Sequence, residues 1–364
     1  MTLSQDQDIP RLARLPSPLQ WALLLAISAA ISAGLELLRL PAALLVGPML
    51  AGVLFGVNGA TIRPPEQLFV AAQGIIGAMI VAAIRPDMAG ALLDQWPIIL
   101  GAVLATLAAS SLLGAMVGRW GSLPGTTAVW GSAPGAASAM VLMADAFGAD
   151  ARLVAFMQYL RVIFVSISAA LIARIWVDVS GVASPPIEWF PPLLLPDLAT
   201  TLVVALAGAF LGKLSRIPGG TLLGPLVIGV PLHLGAGLDL QLPEWLLAVS
   251  YAFVGWWIGL KFTRPILAHA ARTLPQILAA ILLLIAFCAA IGAALSSLLG
   301  VDPLTAFLAT SPGGMDSVAI IAAASRNVDI SFVMTFQMTR FLIVLLLGPP
   351  VARMIASRMI RRPP

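Results

Sequence analysis

Apolar runs the length of a membrane span recur along this chain, and no other feature narrows its fold so far. A helix needs about 20 mostly apolar residues to cross roughly 30 Å of hydrocarbon. Pro18 to Leu38, Glu66 to Ile84, Trp96 to Val117 and Gln276 to Leu299 reach about that length. Leu153 to Val177 and Ile330 to Pro349 do so as well, although arginine interrupts each. Of the 364 residues, 60% are hydrophobic and 10% charged. A soluble domain carries about 25% charged residues, so the solvent for most of this chain is expected to be lipid.

The first seventeen residues are polar, with Arg11 and Arg14 ahead of the first apolar run. That run is too long for a cleavable signal peptide, which predicts an uncleaved first span with a cytoplasmic N-terminus. A lone Cys288 excludes a disulfide framework and a thiolate metal site. The net charge of +4 needs no nucleic acid to explain it, because an arginine excess on cytoplasmic loops suffices.

The chain is duplicated. Pro41-Ala-Ala-Leu-Leu-Val-Gly-Pro-Met-Leu-Ala-Gly-Val53 returns as Pro218-Gly-Gly-Thr-Leu-Leu-Gly-Pro-Leu-Val-Ile-Gly-Val230. Further matches follow in the same order. Gly77-Ala-Met-Ile80 pairs with Gly255-Trp-Trp-Ile258, and Ser132-Ala-Pro-Gly135 with Thr310-Ser-Pro-Gly313. Asp150, Gln158 and Arg161 then correspond to Asp329, Gln337 and Arg340. Shared apolar composition alone would not preserve that order. The expected organisation is a cytoplasmic segment 1–17, a membrane repeat 18–179, a proline-rich linker 180–196, a second repeat 197–350 and a basic cytoplasmic tail 351–364.

Each half reads as six apolar segments, of which the fifth (about 123–147 and 304–325) is unlike the others. Two Pro-Gly steps interrupt Leu123 to Gly135, and Pro312-Gly-Gly314 interrupts its partner. A continuous helix does not tolerate such steps cheaply. Irregular backbone at membrane depth survives only where protein or a water-filled cavity surrounds it, so these segments are expected to be broken or re-entrant. With five full spans per half, Arg63, Arg119, Arg152, Lys213, Arg216, Lys261, Arg264, Arg272 and the C-terminal arginines fall inside. Asp87, Asp94, Asp178, Glu188, Asp197, Asp239, Glu244 and Asp302 fall outside, with Arg39, Arg85, Arg174 and Arg326 as misfits. The positive-inside rule favours this arrangement. The predicted fold is an all-α polytopic membrane protein of two inverted-topology repeats, about ten spans plus two broken segments.

Discontinuous helices in paired repeats point to a secondary transporter's binding site. Pro134, Gly135, Pro312 and Gly313 are therefore candidate site residues. Arg161 lies eleven residues beyond Asp150, about 16 Å along a helix and near midplane. An arginine there costs about 2.5–3.5 kcal/mol on the insertion scale and calls for a partner. Gln158 and Gln337 sit one turn before Arg161 and Arg340 on the same face. Either the arginines tie their helices to carbonyls freed by the breaks, or they meet a ligand. Asp316 follows the second break and could pair with Arg340, whereas Ser138 occupies the equivalent position in half one. On that asymmetry Arg161 is expected to favour an anionic group, and Asp316 to serve proton or cation coupling. Trp130 fits either cavity lining or packing. Trp245, Trp256 and Trp257 read as belt or packing residues, Met140, Met143 and Met157 as apolar filler, and Asp145 as interfacial.

The paired Gly-Pro segments and Pro-Gly breaks, each break followed by Gln-x-x-Arg, resemble the AbrB-type bacterial membrane protein family. The resemblance runs from about residue 20 to 350 and implies an inverted-repeat transporter architecture in the bacterial inner membrane. An ammonia monooxygenase label attached to this family implies clustered metal ligands. His233 and His269 lie far apart and no carboxylate cluster accompanies them, so no enzymatic activity, metal or cofactor is expected. The expectation is an ion-gradient-coupled transporter or exporter of a small, anionic solute, with no nucleic-acid partner and with homo-oligomerisation left open. The alternative is a membrane sensor that affects gene expression indirectly.

Overall fold

The computed structural model describes residues 11–37, 43–84, 87–120, 123, 125–135, 137–176, 189–217, 219–313, 318, 322 and 328–360. Asp316, Arg39, Arg85 and Arg326 lie outside the described residues, as do most of the 180–196 linker and both chain ends. Among the described residues there is no strand, and a short 3-10 turn at Arg11–Arg14 precedes thirteen α-helices. The first half holds α1 (Ser17–Leu37), α2 (Ala43–Val57), α3 (Glu66–Ala82), α4 (Asp87–Trp120), α5 (Gly125–Ser132), α6 (Ala137–Ala146) and α7 (Ala151–Trp176). The second holds α8 (Leu195–Leu214), α9 (Gly220–Ala236), α10 (Glu244–Gly259), α11 (Arg264–Leu299), α12 (Pro303–Thr310) and α13 (Ile330–Ile360).

Five of these helices are long and apolar enough to cross a membrane: α1, α4 from Trp96, α8, α11 and α13 to Val351. Helix α8 shows how such a sequence works in lipid. Thr201, Val204, Ala205, Gly208, Ala209 and Gly212 form its buried stripe, while Val203, Leu206, Phe210 and Leu214 face outward. Small residues lie inside and large apolar ones outside. That pattern would be costly in water, and it suits a bilayer in which close packing rather than hydrophobic exclusion joins helices.

Helices α4 and α11 extend beyond the apolar segments read from sequence. They span 34 and 36 residues, about 50 Å at ~1.5 Å per residue. Their leading turns carry Asp87 and Asp94, or Arg264, His269 and Arg272, so apolarity alone does not mark them. Pro97 and Pro275 interrupt the two helices at corresponding places.

The helices pack as two groups. Helices α1–α3 associate with α8–α10, and α4–α7 associate with α11–α13. In the first group α2 crosses α10 as α9 crosses α3, an exchange between halves that glycine makes possible. A Cβ on Gly77 would stand 2.6 Å from the carbonyl oxygen of Leu222, and one on Gly255 would stand 2.9 Å from that of Leu45. Leu45 and Leu222 are themselves repeat equivalents within the Gly-Pro segments. Between the groups lies a broad apolar boundary where Met140 and Met143 of α6 share one buried cluster with Ile76, Ile80, Leu222 and Leu226.

Three contacts set helix directions. Glu66, at the start of α3, pairs with Lys213 at the end of α8 at 2.8 Å. Gln241, just ahead of α10, instead accepts from the backbone N–H of Leu194 at the start of α8. Its own N–H donates to Thr201 on the same helix.

Candidate functional site

The site begins with two missing amide protons. Helix α5 ends at Ser132 and α6 starts at Ala137, so the expected break is present. Pro134 has no N–H to offer the carbonyl of Trp130 four residues back, and Pro312 has none for Leu308. Glutamine supplies the replacement in both halves. Gln158 Nε2 donates to the Trp130 carbonyl at 2.8 Å and to that of Ala133 at 3.0 Å. Gln337 Nε2 donates to the Leu308 carbonyl at 2.7 Å and to that of Ser311 at 3.2 Å.

The arginines complete the same pattern one turn on. Arg161 Nη1 donates to the carbonyls of Ala133 (2.7 Å) and Ser132 (3.3 Å), and Nη2 to that of Gly135 (3.4 Å). Arg340 Nη1 donates to the carbonyls of Ser311 (2.8 Å) and Thr310 (3.1 Å). Each guanidinium also donates to the side-chain oxygen of its own glutamine, Arg161 to Gln158 and Arg340 to Gln337. These four side chains are at most 2% exposed. The two readings open for the arginines thus resolve on one point. Both guanidinium groups tie their helices to the freed carbonyls, and they do so alike in the two halves.

A further pair anchors the helices that carry them. Thr127 Oγ1 accepts from the backbone N–H of Asp150 at 3.1 Å, and Thr305 Oγ1 from that of Asp329 at 3.2 Å. The sequence reading passed over these threonines. Their identity at equivalent positions was the available signal, weakened because threonine is common near helix ends.

The two breaks lie across the halves from each other. Helix α5 packs on α13 as well as α7, and α12 packs on α7 as well as α13. A Cβ on Gly313 would meet Val165 of α7 at 2.9 Å, and one on Gly348 of α13 would meet the Trp130 ring at 3.2 Å. Thr310 Oγ1 donates to the carbonyl of Cys288 on α11 at 2.9 Å. Ser138 is buried in the first turn of α6. Its counterpart Asp316 lies outside the described residues, so the contrast between the halves at that position stays a matter of sequence.

Not every donor in this region is used. Among the described residues, the buried side-chain atoms without a hydrogen-bond partner are Ser132 Oγ, Tyr159 OH, Arg161 Nε, Thr335 Oγ1 and Arg340 Nε. All five belong to the first break or to α7 and α13, the helices that hold the breaks.

The remaining sequence candidates sort simply. Trp130 is 1% exposed and packs near Phe147. Trp256 donates to Ser28 Oγ at 2.9 Å, and Trp257 stacks on Phe69 with ring centroids 4.3 Å apart. Met140, Met143 and Met157 are buried. Asp145 takes part in contacts that sequence did not foresee: it accepts from Lys261 and from Trp257, at 3.4 Å each. No group of three or more His, Cys, Asp or Glu converges among the described residues.

Comparison with known proteins assigns the family. The family described as "Transition state regulatory protein AbrB" matches residues 44–356. The chain belongs to the AbrB family. It is similar to "Putative regulator AbrB" of Escherichia coli (strain K12), 46% identical over 340 residues that cover 93% of this chain and 97% of that protein. It is also similar to "Uncharacterized protein YhjN" of Bacillus subtilis (strain 168), 27% identical over 297 residues, 78% of this chain and 77% of that one. The family match contains both breaks and both Gln-x-x-Arg pairs of this AbrB-family chain.

Proposed function

We propose that this AbrB-family chain is a secondary transporter or exporter of a small anionic solute. Its substrate site lies where the two Pro-Gly breaks approach each other. The observation that carries the reading is the placement of the unpartnered polar atoms. A buried polar atom without a partner costs on the order of 1–3 kcal/mol, and native folds keep such groups few. Here those found among the described residues all lie at the end of α5 or on α7 and α13, the helices that carry the Gln-x-x-Arg pairs. Two of them are guanidinium N–H donors on positive charges, Arg161 Nε and Arg340 Nε, which suit an anion. Ser132, Tyr159 and Thr335 add hydroxyls that can take the place of hydration.

Inverted repeats with alternating access fit the helix directions. Helix α3 starts beside the end of α8, whereas its repeat equivalent α10 starts beside the beginning of α8. With the basic ends cytoplasmic, both termini face the cytoplasm of a bacterial inner membrane. Ion-gradient coupling is the natural energy source, with Asp316 as the candidate proton or cation carrier. In this reading the chain is a carrier rather than an enzyme.

The test is flux. Protein reconstituted in proteoliposomes is screened against small organic acids and amines under imposed pH gradients. Gradient-dependent flux of an anion that Arg161→Gln and Arg340→Gln reduce at least tenfold is the expected result. An Asp316→Asn variant should abolish the dependence on the gradient. The description of the E. coli relative as a regulator favours a second, regulatory reading. Absence of flux across the whole panel, with altered transcription on deletion, would replace the transporter by that reading.

A further inference from the structure

The apolar boundary between the two helix groups changes character at one end. There a cavity of about 420 Å³ opens, lined by both groups. Arg63 and the turn after α10 come from one side, and Asp145 and the residues around Arg152 come from the other. Polar contacts bridge it. Lys261 Nζ and Trp257 Nε1, on the α10 side, each donate to the Asp145 carboxylate at 3.4 Å. Arg152 Nη1 donates to the backbone carbonyl of Lys261 at 3.0 Å, while its Nε and Nη2 hold Asp150, each at 2.8 Å. The Lys261 ammonium also lies 4.7 Å from the centroid of the Trp257 ring.

Repeat symmetry makes this end exceptional. The glutamine and arginine bonds to the carbonyls at the breaks occur in both halves. The bridging residues occur once. Met79 stands where the second half has Trp257, and alanine fills positions 82 and 83, where an equivalent of Lys261 would fall. Arg152 corresponds to Ser331, and an equivalent of Asp145 would fall within Ala322-Ala-Ala324. A fold built from two similar halves has therefore placed charge across its group boundary at one face of the membrane and left the matching positions at the other face apolar or small.

We propose that Asp145, Arg152 and Lys261 form a one-sided clasp that shuts the mouth of the pathway at the basic face, and that this structure is the conformer closed to that face. The clasp's role as a gate rests on the proposed solute site, but its existence as a closure does not depend on any solute. Three features suit it to gating. Elsewhere the boundary between the groups is lined by methionine and aliphatic side chains, which can exchange partners as surfaces slide. The bridging side chains are about one third exposed (Lys261 39%, Asp145 34%), and ion pairs so placed are individually weak. A few such contacts bias two conformers without locking one of them.

Cys288 is the chain's one cysteine and is buried, so its replacement by alanine gives a clean background for thiol labelling. The full-length protein in vesicles carries a single reporter, Ser132→Cys or, independently, Ala133→Cys. A membrane-impermeant charged methanethiosulfonate is added to the face bearing Arg63 and Lys261. With Asp145→Asn and Lys261→Gln in the same chain, labelling from that face should rise up to about fivefold, the shift that about 1 kcal/mol produces. A bifunctional methanethiosulfonate that joins Asp145→Cys to Lys261→Cys across the span of the native lysine side chain should suppress labelling until it is reduced. Unchanged labelling in the first variant, or undiminished labelling in the cross-linked one, would overturn the clasp. The two readings fail separately: increased labelling without flux of any panel solute removes the transporter and leaves the clasp. Flux with labelling indifferent to both variants does the reverse.

Discussion

The paired breaks and the charged mouth are built on opposite principles. At the breaks the carbonyl-binding side chains are doubled. Each proline frees a carbonyl, each glutamine takes it, and each arginine takes the next ones on. At the mouth the residues that bridge the groups are single, for Asp145, Arg152, Trp257 and Lys261 have no like residue in the other half. What folds the protein and forms its centre is shared by both halves, so it carries no preference for either face. A preference has to come from residues that broke the repeat after duplication. The comparison thus separates parts that should respond equally to substitution from parts that should not.

The sharpest way to break it is at the arginines. Arg161→Met strands the buried carbonyls of Ser132 and Gly135 and the side-chain oxygen of Gln158, while the Ala133 carbonyl keeps its bond from Gln158. Arg340→Met strands the Thr310 carbonyl and the side-chain oxygen of Gln337, while the Ser311 carbonyl keeps its bond from Gln337. At about 1–3 kcal/mol for each stranded group, both variants should lose at least ~2 kcal/mol, visible in thermal unfolding of the detergent-solubilised protein. Arginine-to-lysine changes should fall between, since an ammonium keeps the charge but not the planar fork. A large loss at one position beside a negligible one at the other would show that the halves are not equivalent at their centre.

A smaller effect is expected where glycine lets backbones touch. Gly77→Ala would push a methyl to 2.6 Å from the Leu222 carbonyl, and Gly255→Ala would push one to 2.8 Å from the Met49 amide nitrogen. Overpacking of this kind costs about 1–3 kcal/mol, against a helix-propensity gain of up to ~1 kcal/mol. Both should melt lower than the parent. Gly101 supplies the control, because a Cβ there meets nothing within 4 Å and the corresponding residue of half two is Ala279. Gly101→Ala should be neutral or stabilising.

These glycines also mark how far sequence carries. Duplication was legible because collinear matches such as Gly77 with Gly255 keep their order, and the helix breaks were legible because Pro134 and Pro312 cannot donate. Burial of Gln158 and Arg161 on one face followed from their spacing. That these side chains replace the prolines' missing donors was open, since a buried arginine can equally serve a ligand, and only placement of the carbonyls decides. The mouth was illegible for another reason. Asp145 and Lys261 are separated by 116 residues, and a residue present in one half only leaves no repeat to flag it. Asp145 read as one more interfacial acid. The long helices α4 and α11 were shortened in the reading because their first turns carry charge at ends that still wind as helix.

The faintest expected effect concerns acid, and it bears on the mouth alone. Asp150, just ahead of α7, is partly buried, which pushes its carboxyl up. Hydrogen bonds and charge from Arg152 outweigh that and hold it below the usual aspartate range. A carboxyl lowered on folding contributes stability above its unfolded value, and that contribution is lost only as pH falls through the lower folded value. The Asp150–Arg152 pair should therefore stay ionised, and keep Arg152 oriented toward the Lys261 carbonyl, from about pH 8 down to about pH 5. Labelling of the Ser132→Cys reporter from the basic face should accordingly be flat across that window, once the reagent's own pH dependence is divided out. In Asp150→Asn, Arg152 loses the partner that fixes its guanidinium, and labelling should rise modestly and equally at every pH in the window. A rise in the parent that begins near neutrality would place the titrating group elsewhere than in this pair.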